Sequence, residues 1–363
     1  MKPSVALVLP PREGFSSGNA GAIGLLVRRY AARAERFAPF VVGVAQQAVF
    51  PGVRFVAARP SWFPGNFARR YAGGVAAVLG RERPALVEVH NRPDVAWFLA
   101  GRLRDTPVVL FLHNDPQGMR RAGTAAERAA LAGRLAGVVA VSAYLAGRFG
   151  AGASVLPNGI ALEDVPQGPK ERLILFAGRV VSDKGADSFV AACALALPQL
   201  PGWRAEMVGA DRFGADSPET PWIAALRPRA AAAGVAMLGY RPHAEVAALM
   251  ARAAIVVVPS RWPEPFGLTA LEALAAGAAL LYAPRGGLPE VAGDAAVPVD
   301  PEDPAAIAAA IVALAGDPDR RAALGAAGRA RAERFGMEKI GASLDALRSD
   351  VLDAWSRRPP RPI

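Results

Sequence analysis

Ile255-Val-Val-Val258-Pro-Ser260-Arg-Trp-Pro-Glu264-Pro-Phe266-Gly267-Leu268-Thr-Ala-Leu-Glu272-Ala-Leu-Ala-Ala-Gly277 reads as a buried strand, a tight turn and a helix in succession. The apolar run shows no polar alternation, the pattern of a parallel strand covered on both faces. Pro263, Pro265 and Gly267 keep the turn out of helical geometry, and a helix starts near Leu268. Its free backbone N–H groups, at the positive end of the helix dipole, suit anionic oxygens. Glu264 lies in the turn and Glu272 about one turn inside the helix. Both carboxylates can face one ligand and accept hydrogen bonds from vicinal hydroxyls, as sugars and riboses present. Taken alone, the spacing also fits a turn glutamate and a solvated helix glutamate.

The same strand-then-helix rhythm runs outward in both directions. Strands are expected at Val5–Leu9, Phe40–Val44, Val53–Ala57, Leu86–Val89, Val108–Leu112 and Val138–Val141, with helices at Gly24–Phe37, Phe67–Leu79 and Ala125–Ala136. The second half repeats the scheme at Leu173–Ala177, Ala205–Val208, Val235–Leu238, Ile255–Val258, Ala279–Tyr282 and Ala296–Val299. Such alternation means parallel sheets with helices on both faces. The turn-rich stretch Asn158–Pro169 separates the halves as a linker. Three parts follow: residues 1–162, residues 163–336, and a tail of 337–363 that opens with an amphipathic helix over Met337–Trp355 and ends in Ser-Arg-Arg-Pro-Pro-Arg-Pro-Ile, which cannot continue a helix.

Hydrophobic residues make up 52% of the 363, ample for two cores. A single cysteine, Cys193, excludes an intramolecular disulfide and a cysteine metal cluster. The opening apolar run Val5–Leu9 is too short for a signal core, and no run approaches the roughly 20 residues of a membrane span. The expectation is a soluble, cytoplasmic protein, at most peripheral on the inner face of the membrane. Charge is lopsided: residues 1–168 hold 20 Lys+Arg against 10 Asp+Glu, and the remainder 22 against 22. The first half therefore faces something anionic, such as a membrane surface, a lipid-linked phosphate or an acidic glycan, unless it is only a well-solvated basic surface. The arginines are scattered and no nucleic-acid motif is present, so nucleic acid is not an expected partner.

Three further groups bear on chemistry. Leu173–Gly178 is a strand ending in glycine, followed by Arg179 and Lys184; Arg179 can fork onto phosphate oxygens and Lys184 adds a point charge, although ordinary surface cations read the same way. Phe15-Ser-Ser-Gly18-Asn-Ala-Gly21-Ala-Ile-Gly24 is a glycine-rich strand-to-helix loop that lets backbone approach a phosphate or sugar. His90 and His113 both terminate strands of the first half, where ligands belong or where a neutral histidine simply caps a strand; His243 follows Arg241-Pro242. No histidine or carboxylate set has metal-ligand spacing, so no metal is expected.

Taken together, these residues resemble the retaining nucleotide-sugar glycosyltransferases of family four. The motifs that carry the resemblance are the early glycine loop, His113-Asn-Asp, Val139-Ala-Val-Ser142, Leu156-Pro-Asn-Gly159, Gly178-Arg179 with Lys184-Gly185, Pro263–Leu268 with Glu272, and Gly286-Gly287-Leu-Pro-Glu290. The resemblance implies the α/β GT-B fold: two facing Rossmann-like domains with parallel sheets and a cleft between them. It implies acceptor binding by residues 1–162, donor binding by 163–336, and a last helix in 337–363 that packs back toward the first domain. Arg179 and Lys184 would hold the diphosphate, Glu272 the ribose, and Glu264 with the backbone of Phe266, Gly267 and Leu268 the donor sugar. Gly18 would approach the phosphates, Glu290 would support the pocket, and Tyr240-Arg241 would meet the base. His113, with Glu264, would contact the reacting sugar. The polar strand exit His90-Asn91, with Asn114 where many members carry aspartate, is assigned to the acceptor. The implied partners are a UDP- or GDP-type sugar donor and a glycan or lipid-linked acceptor, with no cofactor and no divalent ion. Two other readings stay open: another enzyme of this fold, such as a sugar-nucleotide epimerase, or a nonenzymatic binder of anionic ligands.

Overall fold

A computed structural model describes residues 2–62, 65–150, 152–212 and 217–358. By contacts the chain divides into Met1–Gly159 with Met337–Ile363, and Ile160–Gly336. The first crossing falls at Gly159/Ile160, ahead of the 162/163 boundary expected. The last five residues of the expected non-helical tail, 359–363, lie outside the described residues.

Among the described residues of the first unit, seven parallel strands form one sheet: β1 (Ser4–Val8), β2 (Ala38–Gly43), β3 (Phe55–Ala57), β4 (Leu86–His90), β5 (Val108–Leu112), β6 (Gly137–Ala140) and β7 (Ser154–Val155). Their order is β3-β2-β1-β4-β5-β6-β7. Every residue of β4 and β5 is buried, which accounts for their unbroken apolar pattern. The exceptions are His90 at the end of β4 and Glu88 in its middle, the latter fully buried and paired with Arg348 of the terminal helix Met337–Ser356. The guanidinium forks onto Glu88 at 2.7 and 3.0 Å and reaches Asp345 at 3.1 Å. Asp345 in turn accepts the Glu35 and Arg36 N–H groups at 3.0 and 2.8 Å, so the terminal helix is fastened to this unit by charge as well as by apolar contact.

The second unit carries β8 (Glu171–Ala177), β9 (Arg204–Val208), β10 (Val235–Gly239), β11 (Ala253–Val258), β12 (Ala279–Tyr282) and β13 (Val297–Pro298), all parallel, in the order β10-β9-β8-β11-β12-β13. Both sheets thus follow the doubly wound order in which the first strand lies beside the fourth. Lys170, just ahead of β8, donates to the carbonyls of Ala251 and Ala276 at 2.8 and 2.7 Å, the ends of two helices.

The first helix is shorter than expected. The helix expected over Gly24–Phe37 runs Ala22–Ala32, because the chain leaves at Arg33 to enter β2 at Ala38. The polar strand exit expected after His90 is present and short, leading within two residues into the helix Pro93–Arg102, with Pro93 at its first position, where a missing N–H costs nothing.

Candidate donor and acceptor sites

Strand order locates the site in the second unit. The sheet reverses between β8 and β11, and open α/β sheets bind ligands beyond the carboxyl ends of their strands at such a reversal. β8 runs into Gly178-Arg179 and the turn Ser182–Lys184; β11 runs into the turn ending at Gly267. These two exits are stitched together. Trp262 N–H donates to Asp183 O at 2.9 Å, and Arg261 forks onto Asp187 at 2.7 and 3.1 Å while donating to Ser182 O at 2.9 Å. Gly185 has φ 71°, and a Cβ there would overlap Pro259 O, so the exits meet backbone to backbone. The outcome is an ion pair in which Lys184 Nζ donates to Glu264 Oε1.

Glu264 is pinned from a third exit, that of β12. Gly287 N–H donates to Glu264 O at 2.7 Å, and Gly286, at φ 65°, forms an isolated bridge with Glu264. The helix Leu268–Ala275 then begins from Gly267 at φ 104°, with no side-chain cap and no acid in its first turn. Among the described residues, the N–H groups of Gly267, Leu268, Thr269 and Ala270 have no acceptor. The Glu272 carboxylate has one hydrogen-bond partner among the described residues, His243, whose Nε2 lies 2.8 Å from its Oε1. Arg179, at the same edge, has no side-chain partner among them. Two cations, two carboxylates and a bare helix start therefore converge on one sheet edge, an arrangement able to hold a diphosphate and hydroxyls together.

The remaining expected residues fall around it. Phe266 buries its ring against Phe335, at 5.6 Å and 78°, so only its backbone can meet a ligand. Glu290 sits in the short helix Leu288–Ala292 behind the Gly286-Gly287 turn. Tyr240 and Arg241 lie on the exposed exit of β10, where Arg241 donates to Tyr240 O at 3.0 Å and pairs with Glu245 at 3.5 Å. His243 and Arg261 were not among the expected site residues. Nothing in their local sequence marks them, since both act through partners 29 and 74 positions away.

In the first unit the reversal lies between β1 and β4. Gly18, expected to approach phosphate, is exposed with open space around it. The close approaches fall instead on Gly14, Gly21 and Gly24, and the Glu13 carboxylate fills the loop they make, accepting Gly24 N–H at 2.8 Å. Burial pushes the Glu13 pKa up, although the Gly24 and Gly21 amides oppose this. His90, assigned to the acceptor, has no exposed surface; its Nδ1 lies 3.0 Å from Nε2 of His113. Asn91 is also turned inward in function: at φ 57° it accepts the His113 and Asn114 N–H groups at 3.1 and 3.0 Å. Asn114 itself is exposed. A cavity of about 480 Å³ opens elsewhere in this unit, between Arg69, Arg120, Arg121, Asp94, Trp97 and Phe98, and none of His90, Asn91, His113 and Asn114 lines it. Asp94 is held by Arg92 at 2.7 Å, and the Arg121 guanidinium lies 5.1 Å from the Trp97 ring centre. Arg69 and Arg120 have no carboxylate partner among the described residues.

Two parallel sheets of doubly wound order, each with polar residues gathered at its reversal, make a two-unit α/β protein, and solved structures that it resembles share the GT-B fold. Sucrose-phosphate synthase of Thermosynechococcus elongatus matches with a TM-score of 0.79 and 21% identity over 97% of this chain and 100% of that one. Anabaena HepE, solved with UDP and glucose, matches with a TM-score of 0.76 and 21% identity over 95% and 99%. The Glycosyltransferase Family 4 model matches residues 25–164, and the model for glycosyl transferases group 1 matches 162–331. The chain belongs to the family-four type of glycosyltransferases. Among curated relatives, the D-inositol 3-phosphate glycosyltransferase of Segniliparus rotundus is 36% identical over 197 residues, 54% of this chain and 43% of that protein. Glycogen synthase of Mycobacterium tuberculosis is 35% identical over 158 residues, 42% and 35%. The match thus spans less than half the length of these curated relatives.

Proposed function

We propose that this chain transfers a hexose, with retention of anomeric configuration and without a divalent ion, from a UDP- or GDP-type nucleotide sugar to an anionic glycan or lipid-linked acceptor of the cell envelope. The observation that carries the donor half is the Lys184–Glu264 pair beside the uncapped helix start at Gly267. As the bond from the anomeric carbon to the phosphate breaks, negative charge grows on the leaving diphosphate. Arg179, Lys184 and the free N–H groups stabilise that charge, and the leaving phosphate takes the proton of the acceptor hydroxyl that attacks the same face. Glu264 orients the sugar and Glu272 the ribose. HepE, solved with UDP-glucose, supports the donor class. The arginine-lined cavity of the first unit supports an anionic acceptor, as do relatives named for a phosphorylated inositol. Lying at the cytoplasmic face of the membrane, the first unit would meet such an acceptor with its basic surface.

Thermal denaturation of the purified protein with UDP, GDP, ADP and their sugar conjugates tests the donor half. A ligand at about 100 times its Kd stabilises the fold by about 2.7 kcal/mol. One nucleotide series should raise the melting temperature, and Arg179→Ala should abolish the rise. No rise with any of them would remove the reading. Product analysis then separates transfer from epimerisation, which would release free nucleotide without any acceptor.

A further inference from the structure

We propose that His90 is a positioning residue that holds the imidazole of His113 in a single tautomer, with Nδ1–H presented as a hydrogen-bond donor. The identity of the oxygen it meets rests on the transferase reading; the tautomer does not.

The argument begins with register. β4 and β5 pair with His90 opposite Phe111, which brings the side chain at the end of β4 beside His113 one step past β5. The two rings lie 5.2 Å apart at 24°, and His90 also stacks on Phe111 at 5.0 Å. His90 Nδ1 and His113 Nε2 are 3.0 Å apart, so one of them carries a hydrogen and the other a lone pair. Burial favours the neutral form of both rings. Burial pushes His113 down to about 3 and His90 well below its ordinary value, and for His90 the neighbouring His113 and Arg348 act in the same direction. Glu88, the nearby carboxylate, is already taken by Arg348.

Two arrangements of neutral rings remain. If His113 Nε2–H donates, His90 must carry its hydrogen on Nε2. That atom is buried and has no partner among the described residues. If His90 Nδ1–H donates, the same buried atom is a bare lone pair. An orphaned N–H is the rarer and costlier of the two in protein interiors. His90 is therefore the donor, and the hydrogen of His113 is on Nδ1. Asn91 completes the constraint by accepting the His113 N–H, so backbone and ring are fixed from adjacent positions. His113 keeps 8% of its surface, and its Nδ1 has no hydrogen-bond partner among the described residues. A neutral Nδ1–H cannot remove a proton from an acceptor. It can donate to a hydroxyl or phosphate oxygen of the ligand, which gives His113 a binding and charge-stabilising role rather than that of a base.

The chain has three histidines, so side-chain nitrogen spectra of the full-length protein labelled with ¹⁵N-histidine resolve into three ring systems, assigned with His243→Gln and His113→Gln. His113 should be in the Nδ1–H form by about tenfold or more. His90→Phe should lose that preference, and His90→Asn, whose amide N–H can replace Nδ1–H, should restore it. The Nε2–H form in the wild-type protein, or a preference unchanged in His90→Phe, would overturn the proposal. Should His90→Phe fail to fold, the wild-type spectrum and His90→Asn still decide it. No nucleotide sugar enters the measurement, so failure of the donor reading would leave this result standing, and the reverse also holds.

Discussion

At Gly286 a single backbone angle governs the carboxylate that the donor reading depends on. Its φ of 65° lies where only glycine is unstrained, and a Cβ would overlap the Glu264 backbone. Gly286→Ala should therefore cost about 1–3 kcal/mol of stability and move Glu264 off its bridge. If Glu264 holds the sugar as proposed, calorimetry should show the variant losing affinity for the nucleotide sugar and not for the bare nucleotide. Equal affinity for both, unchanged from wild type, would detach Glu264 from the site. The buried histidines give a second prediction. An unfolded chain protonates histidine near 6.5, whereas folded His113 resists until about 3. Below 6.5 the unfolded state binds more protons, so this contribution to stability is complete above 6.5 and is lost as pH falls toward 3. The drop in melting temperature from pH 7.5 to 5.5 should shrink in His113→Gln; an identical drop would mean that the ring is not buried in solution.

Between elements, legibility depended on whether the information was local. Val108–Leu112 and Ala279–Tyr282 emerge with the same bounds in sequence and structure because a strand buried on both faces must be an unbroken apolar run. The helix beginning at Leu268 was readable for a similar reason, since Pro265 and Gly267 leave no earlier start. What escaped was pairing at a distance. His90 meets His113 across 23 positions only because β4 and β5 are neighbours, and Glu13 enters the glycine loop through the fold of its own turn. The extreme case is Arg348, which meets Glu88 across 260 positions. Both side chains are fully buried, so removing one leaves the other charge without compensation. Arg348→Met should cost about 3–5 kcal/mol in urea denaturation, while Arg348→Met with Glu88→Leu should recover most of the loss. If the double variant is as unstable as the single one, the terminal helix is held by its apolar contacts and the pair is incidental.

Across the whole molecule, charge separates more sharply by unit than by sequence half. Met1–Gly159 with Met337–Ile363 holds 25 Lys+Arg against 12 Asp+Glu, a net +13, whereas Ile160–Gly336 holds 17 against 20, a net −3. The unit with the donor motifs thus has no general attraction for an anionic nucleotide. On the proposed function it would hold one through a few cations at contact distance, of which Arg179 and Lys184 are the candidates. The first unit has the opposite character, a broad positive field acting over a distance that salt shortens to about 10 Å at 0.1 M. Salt should therefore tell the two apart. Between about 0.05 and 0.5 M, co-sedimentation with anionic vesicles should fall more than about tenfold, with no binding to neutral vesicles at either concentration. Nucleotide affinity over the same range should change only about threefold, because contacts made at hydrogen-bond distance are screened far less. Vesicle binding that ignores salt would point to apolar insertion in place of a charged surface. No binding to anionic vesicles at low salt would confine the acceptor to soluble anions, which the arginines around the 480 Å³ cavity could still hold.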